Sequence, residues 1–115
     1  MNKLFLLIVL LTTALQANEA VIENVEVQRG EDGTCAFQVR ILHKDSGWKH
    51  YVDRYEVLDQ EGNVLATRTL WHPHEHEQPF TRGLSGVNVK GKSVVYIRAH
   101  DSVDGDSKLF RVQLK

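Results

Sequence analysis

Apolar and polar residues alternate over short stretches of the chain after residue 20, and no long helical period interrupts them. Between Thr34 and His43, positions 35, 37, 39 and 41 carry Cys, Phe, Val and Ile, while positions 36, 38 and 40 carry Ala, Gln and Arg. A period of two residues is typical of a half-buried strand. Comparable segments predict about seven strands, namely Val21–Gln28, Thr34–His43, Tyr51–Leu58, Val64–Trp71, Val87–Val89, Val94–His100 and Leu109–Leu114.

Turn-forming segments separate several of the predicted strands. They lie at residues 29–33, 59–63, 90–92 and 104–106, and each contains glycine. Short strands with turns at this spacing, over about a hundred residues, predict an all-β fold in which two sheets pack as an immunoglobulin-like sandwich. A small barrel is the alternative architecture.

The C-terminal third contains the segments Leu84-Ser85-Gly86-Val87, Val95-Tyr96-Ile97-Arg98-Ala99 and Gly105. Together they resemble the last two strands of fibronectin type III domains. The resemblance implies a fibronectin type III-like two-sheet sandwich. It implies no activity, because such sandwiches have many unrelated functions.

The N-terminus has the parts of a secretory signal peptide. Lys3 supplies a positive charge, residues 4–11 form an apolar run, and a small and polar segment ends at Ala17. We therefore expect residues 1–17 to be a cleaved leader and residues 18–115 to form one β-sandwich domain, periplasmic or secreted. The apolar run is shorter than the roughly 20 residues that span a bilayer. Because Cys35 is the only cysteine, we expect neither a lipid anchor near the cleavage site nor an intramolecular disulfide.

The charge balance argues against two classes of partner. The chain has 14 Lys and Arg against 15 Asp and Glu, which gives a formal net charge of −1. Proteins that bind nucleic acids or membrane surfaces usually carry a basic patch or run. We therefore expect no nucleic-acid partner. We also expect no membrane insertion, because no apolar run after the leader approaches the length that spans a bilayer.

The segment from Trp71 to Phe80 is the richest in potential ligands, because it contains His72, His74, His76 and Glu77. Pro73 cannot donate to a sheet and should end the preceding strand, and Pro79 should close the loop. We expect Trp71 and Phe80 to anchor the two ends of this loop in the core.

Hairpin geometry predicts the third histidine of this site. A turn at residues 59–63, either a two-residue turn or a type I turn with a bulge at Gly62, pairs residues whose numbers add up to about 122 to 125. This register brings His50 to the end of the sheet that carries His72 and His74. Imidazole nitrogen binds copper and zinc well. The sequence therefore predicts a non-catalytic copper or zinc site formed by His50, His72 and His74, with His76 or Glu77 as a fourth ligand.

A second hypothesis involves the same loop without a metal. The segment 71–82 can dock onto a periplasmic protein partner, and Gln78, Phe80 and Arg82 then matter more than the histidines. The sequence does not define the oligomeric state.

Other residue groups favour structural roles. Cys35 alternates with Phe37 and Val39 and should be buried. Asp101, Asp104 and Asp106 lack the ligand pattern of a calcium loop and should form a solvated turn. Trp48, Tyr51 and Tyr55 are candidates for a carbohydrate-stacking platform, but both tyrosines share the parity of core positions and are expected to pack inside.

Two motifs of the chain are Gly47-Trp48-Lys49-His50-Tyr51 and the stretch His72-Pro73-His74-Glu75-His76-Glu77-Gln78-Pro79-Phe80-Thr81-Arg82. They resemble those of a family of small exported bacterial proteins of uncharacterised activity. The resemblance spans most of the chain after the leader and implies export and a β-sandwich. Within the family pattern His50, His72, His74 and Glu77 match, whereas His76 often does not, which favours His50 over His76 as the third ligand.

Overall fold

The computed structural model describes residues 19–114, so the expected leader at residues 1–17 lies outside the described part of the chain. The described residues form strands and loops without a helix, and hence contain no helix that crosses a membrane. The strands are β1 (Val21–Arg29), β2 (Thr34–Leu42), β3 (Val52–Leu58), β4 (Val64–Thr69), β5 (Phe80–Asn88), β6 (Val94–Asp101), β7 (Gly105–Asp106) and β8 (Phe110–Gln113).

The strands form two antiparallel sheets that pack as a sandwich, as the alternation predicts. The first sheet has the order β1-β2-β5. The second has the order β4-β3-β6, and the free edge of β6 pairs with both β7 and β8. The all-β sandwich is therefore confirmed, whereas the closer resemblance to fibronectin type III domains stays a prediction.

The described residues form eight strands where seven were expected, and one of the expected strands is longer than the pattern predicts. Strand β7 has only two residues, too few to produce a periodic pattern. Strand β5 begins at Phe80, although the pattern indicated a strand only at Val87–Val89. The middle of β5 contains Gly83 and Gly86 and is partly or fully exposed, so its side chains show no clear alternation.

The core is built from the inward faces of both sheets. In β2 the side chains of Cys35, Phe37, Val39 and Ile41 are each at most 1% exposed. Burial of a large apolar side chain contributes about 1.5–3 kcal/mol, so this one face stabilises the sandwich substantially. The buried position predicted for Cys35 is confirmed.

The expected anchoring of the 71–80 loop is half right. Phe80 begins β5 and is 1% exposed, as predicted. Trp71 is 76% exposed, so its predicted place in the core was wrong. Strand β4 ends at Thr69 and Leu70 is the buried residue that follows it, which leaves Trp71 beyond the sheet and directed to solvent.

The β3–β4 hairpin has the predicted register. Arg54 pairs with Thr69 and Tyr55 with Arg68, and the N–H of Leu70 continues the ladder by donating to the carbonyl of Asp53 at 2.9 Å. The turn takes the bulged form, because Gly62 has a φ of +90°, a conformation that a residue without a Cβ adopts at low cost. The hairpin thus brings residues near 50 and 72 to the same end of the molecule.

Two further strand ends lie at that same end. In the first sheet, Ile41 near the end of β2 pairs with Phe80 at the start of β5. In the second sheet, Val52 at the start of β3 pairs with Asp101 at the end of β6. The loops that contain the candidate ligands therefore emerge next to one another.

Candidate functional site

The polar cluster at this end is formed by residues that flank four strands. His43 and Asp45 follow β2, His50 precedes β3, His74 precedes β5, and Asp101 is the last residue of β6. Of these, His43, Asp45, His74 and Asp101 are buried, and His50 is partly exposed. Buried charged and polar groups must be paired, so their contacts define the site.

His43 is held between two carboxylates. Its Nδ1 lies 2.6 Å from Oδ1 of Asp45, and its Nε2 lies 2.6 Å from Oδ2 of Asp101. Its side chain is only 2% exposed. An imidazole with both nitrogens engaged has a fixed ring plane, so Nε2 is aimed at one defined point.

Asp101 joins the two histidines. The same Oδ2 that contacts His43 lies 3.0 Å from Nε2 of His50, and the two imidazole rings meet edge to face at 5.2 Å. Burial raises the pKa of Asp101, but backbone N–H donors of Val103 and Asp104 and the side chains of His50 and His43 outweigh burial and lower it overall. Asp101 is therefore a carboxylate at neutral pH.

The local chain path explains why His50 reaches Asp101. A tight turn places the N–H of His50 3.1 Å from the carbonyl of Gly47. The next residue, Tyr51, then pairs with Ser102 through both its N–H, at 3.0 Å from the Ser102 hydroxyl, and its carbonyl. This extends the β3–β6 pairing beyond the strands and sets His50 beside the end of β6.

Asp45 connects this group to the 71–80 loop. Besides His43, its carboxylate accepts hydrogen bonds from the backbone N–H of His74 at 2.7 Å and of Val52 at 3.3 Å. Gln78 adds a second connection, because its carbonyl oxygen accepts from the N–H of His43 and its amide donates to the carbonyl of His74, both at 2.9 Å. The loop is therefore fixed against the end of β2.

The sequence-predicted metal ligands fall into different surroundings. His50 contacts His43 and Asp101, whereas His74 contacts Asp45, with its Nδ1 3.6 Å from Oδ2. The rings of His72 and His74 are 4.8 Å apart, so these two histidines are neighbours as expected. His50 is connected to His74 indirectly, through His43 and Asp45.

The two candidates for the fourth ligand lie on the surface of the loop. Glu77 binds Arg82 at 2.9 Å, and this partner lowers the pKa of Glu77. His76 is exposed, and its side chain makes no polar contact within residues 19–114.

Gln78, Phe80 and Arg82, which the docking hypothesis assigns to binding of a partner protein, make contacts within the loop. Phe80 is buried and stacks on the His74 ring at 3.9 Å, Gln78 binds backbone groups, and Arg82 lies over the Phe80 ring at 5.7 Å. Each has a partner within the chain. A role for this loop in docking stays a prediction.

The sequence does not predict that His43, Asp45 and Asp101 belong to the site. A signal for the first two was present, since the inward parity of β2 continues beyond the strand through positions 41, 43 and 45, all of which are buried. A histidine and an aspartate in such a run need buried partners. The sequence predicts that Asp101 lies in a solvated turn, but this prediction is wrong, because Asp101 is 1% exposed.

The cluster is reached from solvent on one side. A cleft of about 610 Å³ opens beside His43, Asp45 and His50, and the exposed apolar side chains of Val21 and Leu42 line it further. The side chain of His50 is 26% exposed. A small ligand can therefore approach the side of the cluster on which His50 lies.

The buried ring of His74 has a testable effect on stability. Burial is the main cause of its lowered pKa, and Nδ1 has no hydrogen-bond partner among the described residues. Because the folded-state pKa lies below the unfolded value, stability is lost as the pH falls below about 6.5. We expect the unfolding free energy of His74→Phe, which keeps the stacked ring, to fall less between pH 7 and 5 than that of the original protein. Urea unfolding at several pH values measures this, and parallel curves would contradict the buried, neutral state of His74.

Comparison with known proteins gives one relative and no family. No family model matches the chain, and no solved structure matches it. A protein of Halomicrobium mukohataei named "Putative lipoprotein" is 32% identical over 94 residues, which cover 82% of this chain and 46% of the relative. The chain thus spans about half the length of that relative. The resemblance to small exported bacterial proteins stays a prediction.

Proposed function

We propose that this domain is an exported, non-catalytic binding protein that holds one copper or zinc ion between His43, His50 and Asp101. The observation that carries the proposal is the convergence of two imidazole nitrogens on one carboxylate oxygen. The three potential ligand atoms lie within 4.8 Å of one another. The proposed set keeps His50 from the sequence prediction and exchanges His72 and His74 for His43 and Asp101.

The hydrogen-bond partners of His43 support a role as a ligand. A metal-binding histidine usually donates its second ring N–H to a carboxylate, which fixes the tautomer and the direction of the ligand nitrogen. Asp45 occupies this position, 2.6 Å from Nδ1 of His43. Nε2 is then the nitrogen left for the metal.

The charge of the cluster also favours a cation. Asp45 and Asp101 are 0% and 1% exposed at their side chains, and their ion pairs are with histidines, which carry charge only when protonated. Burial of two carboxylates destabilises the fold when their negative charges are not fully neutralised by positive ones. A divalent ion in contact with Asp101 supplies a positive charge that does not depend on protonation of the histidines.

The ligand types restrict the metal. Two imidazoles and a carboxylate suit zinc or copper(II), whereas calcium and magnesium prefer oxygen ligands alone. Asp104 is a candidate for the fourth position, because its Oδ2 is 3.4 Å from Nε2 of His50 and its side chain is 43% exposed. Glu77 is less suitable, since Arg82 already binds it.

Export is the second part of the proposal. It is supported by the signal-peptide pattern of residues 1–17 and by the name of the relative, which denotes an exported class of protein. A histidine–carboxylate site needs no thiol ligand, and it therefore does not depend on a reducing compartment.

Calorimetric titration of the chelator-treated protein with Zn²⁺ and with Cu²⁺ tests the proposal. We expect one ion per chain, release of protons on binding, and weaker binding at pH 5.5 than at pH 7.5, because the ligands must be deprotonated. The absence of saturable binding at neutral pH, or binding that does not depend on pH, would contradict it.

A further inference from the structure

Both tryptophans of the chain lie on the surface beside one groove. Trp48 is 67% and Trp71 76% exposed, although the side chains of both are large and apolar. They line a groove of about 420 Å³ together with Tyr51, which meets the Trp48 ring edge to face at 5.8 Å. Exposed large apolar groups that gather in one place usually mark a binding surface.

The floor of the groove is polar. Asp53, Arg54 and Thr69 line it between the aromatic side chains. Arg54 and Thr69 are directly paired across β3 and β4, and Asp53 comes from the same end of β3. The groove thus crosses the edge of the second sheet and offers hydrogen-bond donors and acceptors next to aromatic rings.

The charges of the floor are balanced within it. Asp53 lies 2.8 Å from Nδ1 of His100 and 3.5 Å from Nη1 of Arg54, while Nε of Arg54 lies 3.6 Å from Glu56. The side chains of Asp53 and Arg54 are 28% and 36% exposed, so both remain accessible to a ligand. A cationic ligand gains little here, because the only carboxylate lining the groove already has cationic and imidazole partners.

From these observations we infer that the groove binds a neutral, β-linked oligosaccharide of the glucose or N-acetylglucosamine type. Such sugars present flat faces of C–H groups that pack on aromatic rings, and hydroxyl groups around their edges that pair with a carboxylate and a guanidinium. The inference does not depend on the proposed metal. Trp48 and His50 belong to the same short loop, but the groove and the metal cluster have different lining residues.

Tryptophan fluorescence offers a direct test, because the chain contains only these two tryptophans. Titration with cellotetraose and with the tetramer of N-acetylglucosamine, in the presence of EDTA, is expected to give a saturable change with at least one of them. The expected dissociation constant is on the order of 1 mM or below. No change with either sugar up to about 10 mM would overturn the inference.

Substitutions of the two tryptophans test whether the sugar binds in this groove. By calorimetry, Trp71→Ala and Trp48→Ala should each weaken sugar binding about tenfold, and Trp71→Phe should retain part of it. Leu109→Ala is the control, since Leu109 is also exposed, at 56%, but lies outside the groove. Sugar binding unchanged in the double variant Trp48→Ala/Trp71→Ala would overturn the inference.

The same protein and variants distinguish two other possible occupants of the groove, namely a quaternary ammonium ligand and a second copy of the chain. Saturable binding of choline without binding of sugars would show an aromatic site for quaternary ammonium groups instead. A dimer that dissociates in Trp71→Ala, together with the absence of sugar binding, would show that a second copy of the chain covers the groove. Either result would overturn the inference.

Discussion

Replacing His43 with glutamine is expected to weaken Zn²⁺ binding at least about a hundredfold, because changes even to the residues around metal ligands cost 10- to 100-fold. His43 is buried and its ring is fixed by Asp45, so the proposed ligand atom Nε2 has one defined position. Calorimetry on the original protein and the variant measures the difference. His50→Gln should show a loss of similar direction, somewhat smaller because His50 is partly exposed.

The matched control is His76→Gln, the same change at an exposed histidine of the 71–80 loop. We expect it to bind Zn²⁺ like the original protein. The opposite pattern, with His72→Gln or His74→Gln losing binding while His43→Gln retains it, would show that the ligands are those of the sequence prediction and not those of the cluster.

Replacing Asp45 with alanine is expected to destabilise the metal-free protein by about 3 kcal/mol, or on the order of 15 °C in Tm. The substitution leaves the His43 ring and the N–H groups of His74 and Val52 without their acceptor in a buried site. Each such orphaned group is costly. Thermal and urea unfolding followed by circular dichroism measure the loss.

Two variants make this result interpretable. Asp45→Asn keeps the size of the side chain and one acceptor oxygen, so its unfolding free energy should fall less than that of Asp45→Ala. Its stability should still be measurable if the alanine variant does not fold. Glu75→Ala, at an exposed acidic residue of the facing loop, should change stability by no more than about 0.5 kcal/mol. Equal stability of Asp45→Ala and Glu75→Ala would show that Asp45 does not hold the loop.

Much of the sandwich follows from local pattern. The alternation at positions 35–41 predicts the inward face of β2, and turn chemistry at Gly62 predicts the β3–β4 register. Both depend on residues close together in the chain, because burial of one face and the type of turn fix the register of neighbouring strands. The prediction that His50 reaches the end of the sheet near residue 72 rests on the same register.

The composition of the site was harder to predict, because it depends on how the two sheets face each other. His43 extends from the first sheet and Asp101 ends a strand of the second, 58 positions further along the chain. No hairpin links them, so local register gives no information about their contact. The exposure of Trp71 was missed for a related reason, because its apolar character suggested burial whereas its position beyond the end of β4 directs it outward.

The contact between His43 and Asp101 joins the two layers of the sandwich at one end. If the proposed ion binds there, it connects the two layers, and its binding stabilises the folded form in proportion to the logarithm of the free ion concentration over Kd. Amide hydrogen exchange of residues 43–52 and 100–104 reports opening of this end of the sandwich. We expect this exchange to become slower as the ion is added. The remote edges of the same sheets keep their own exchange rates.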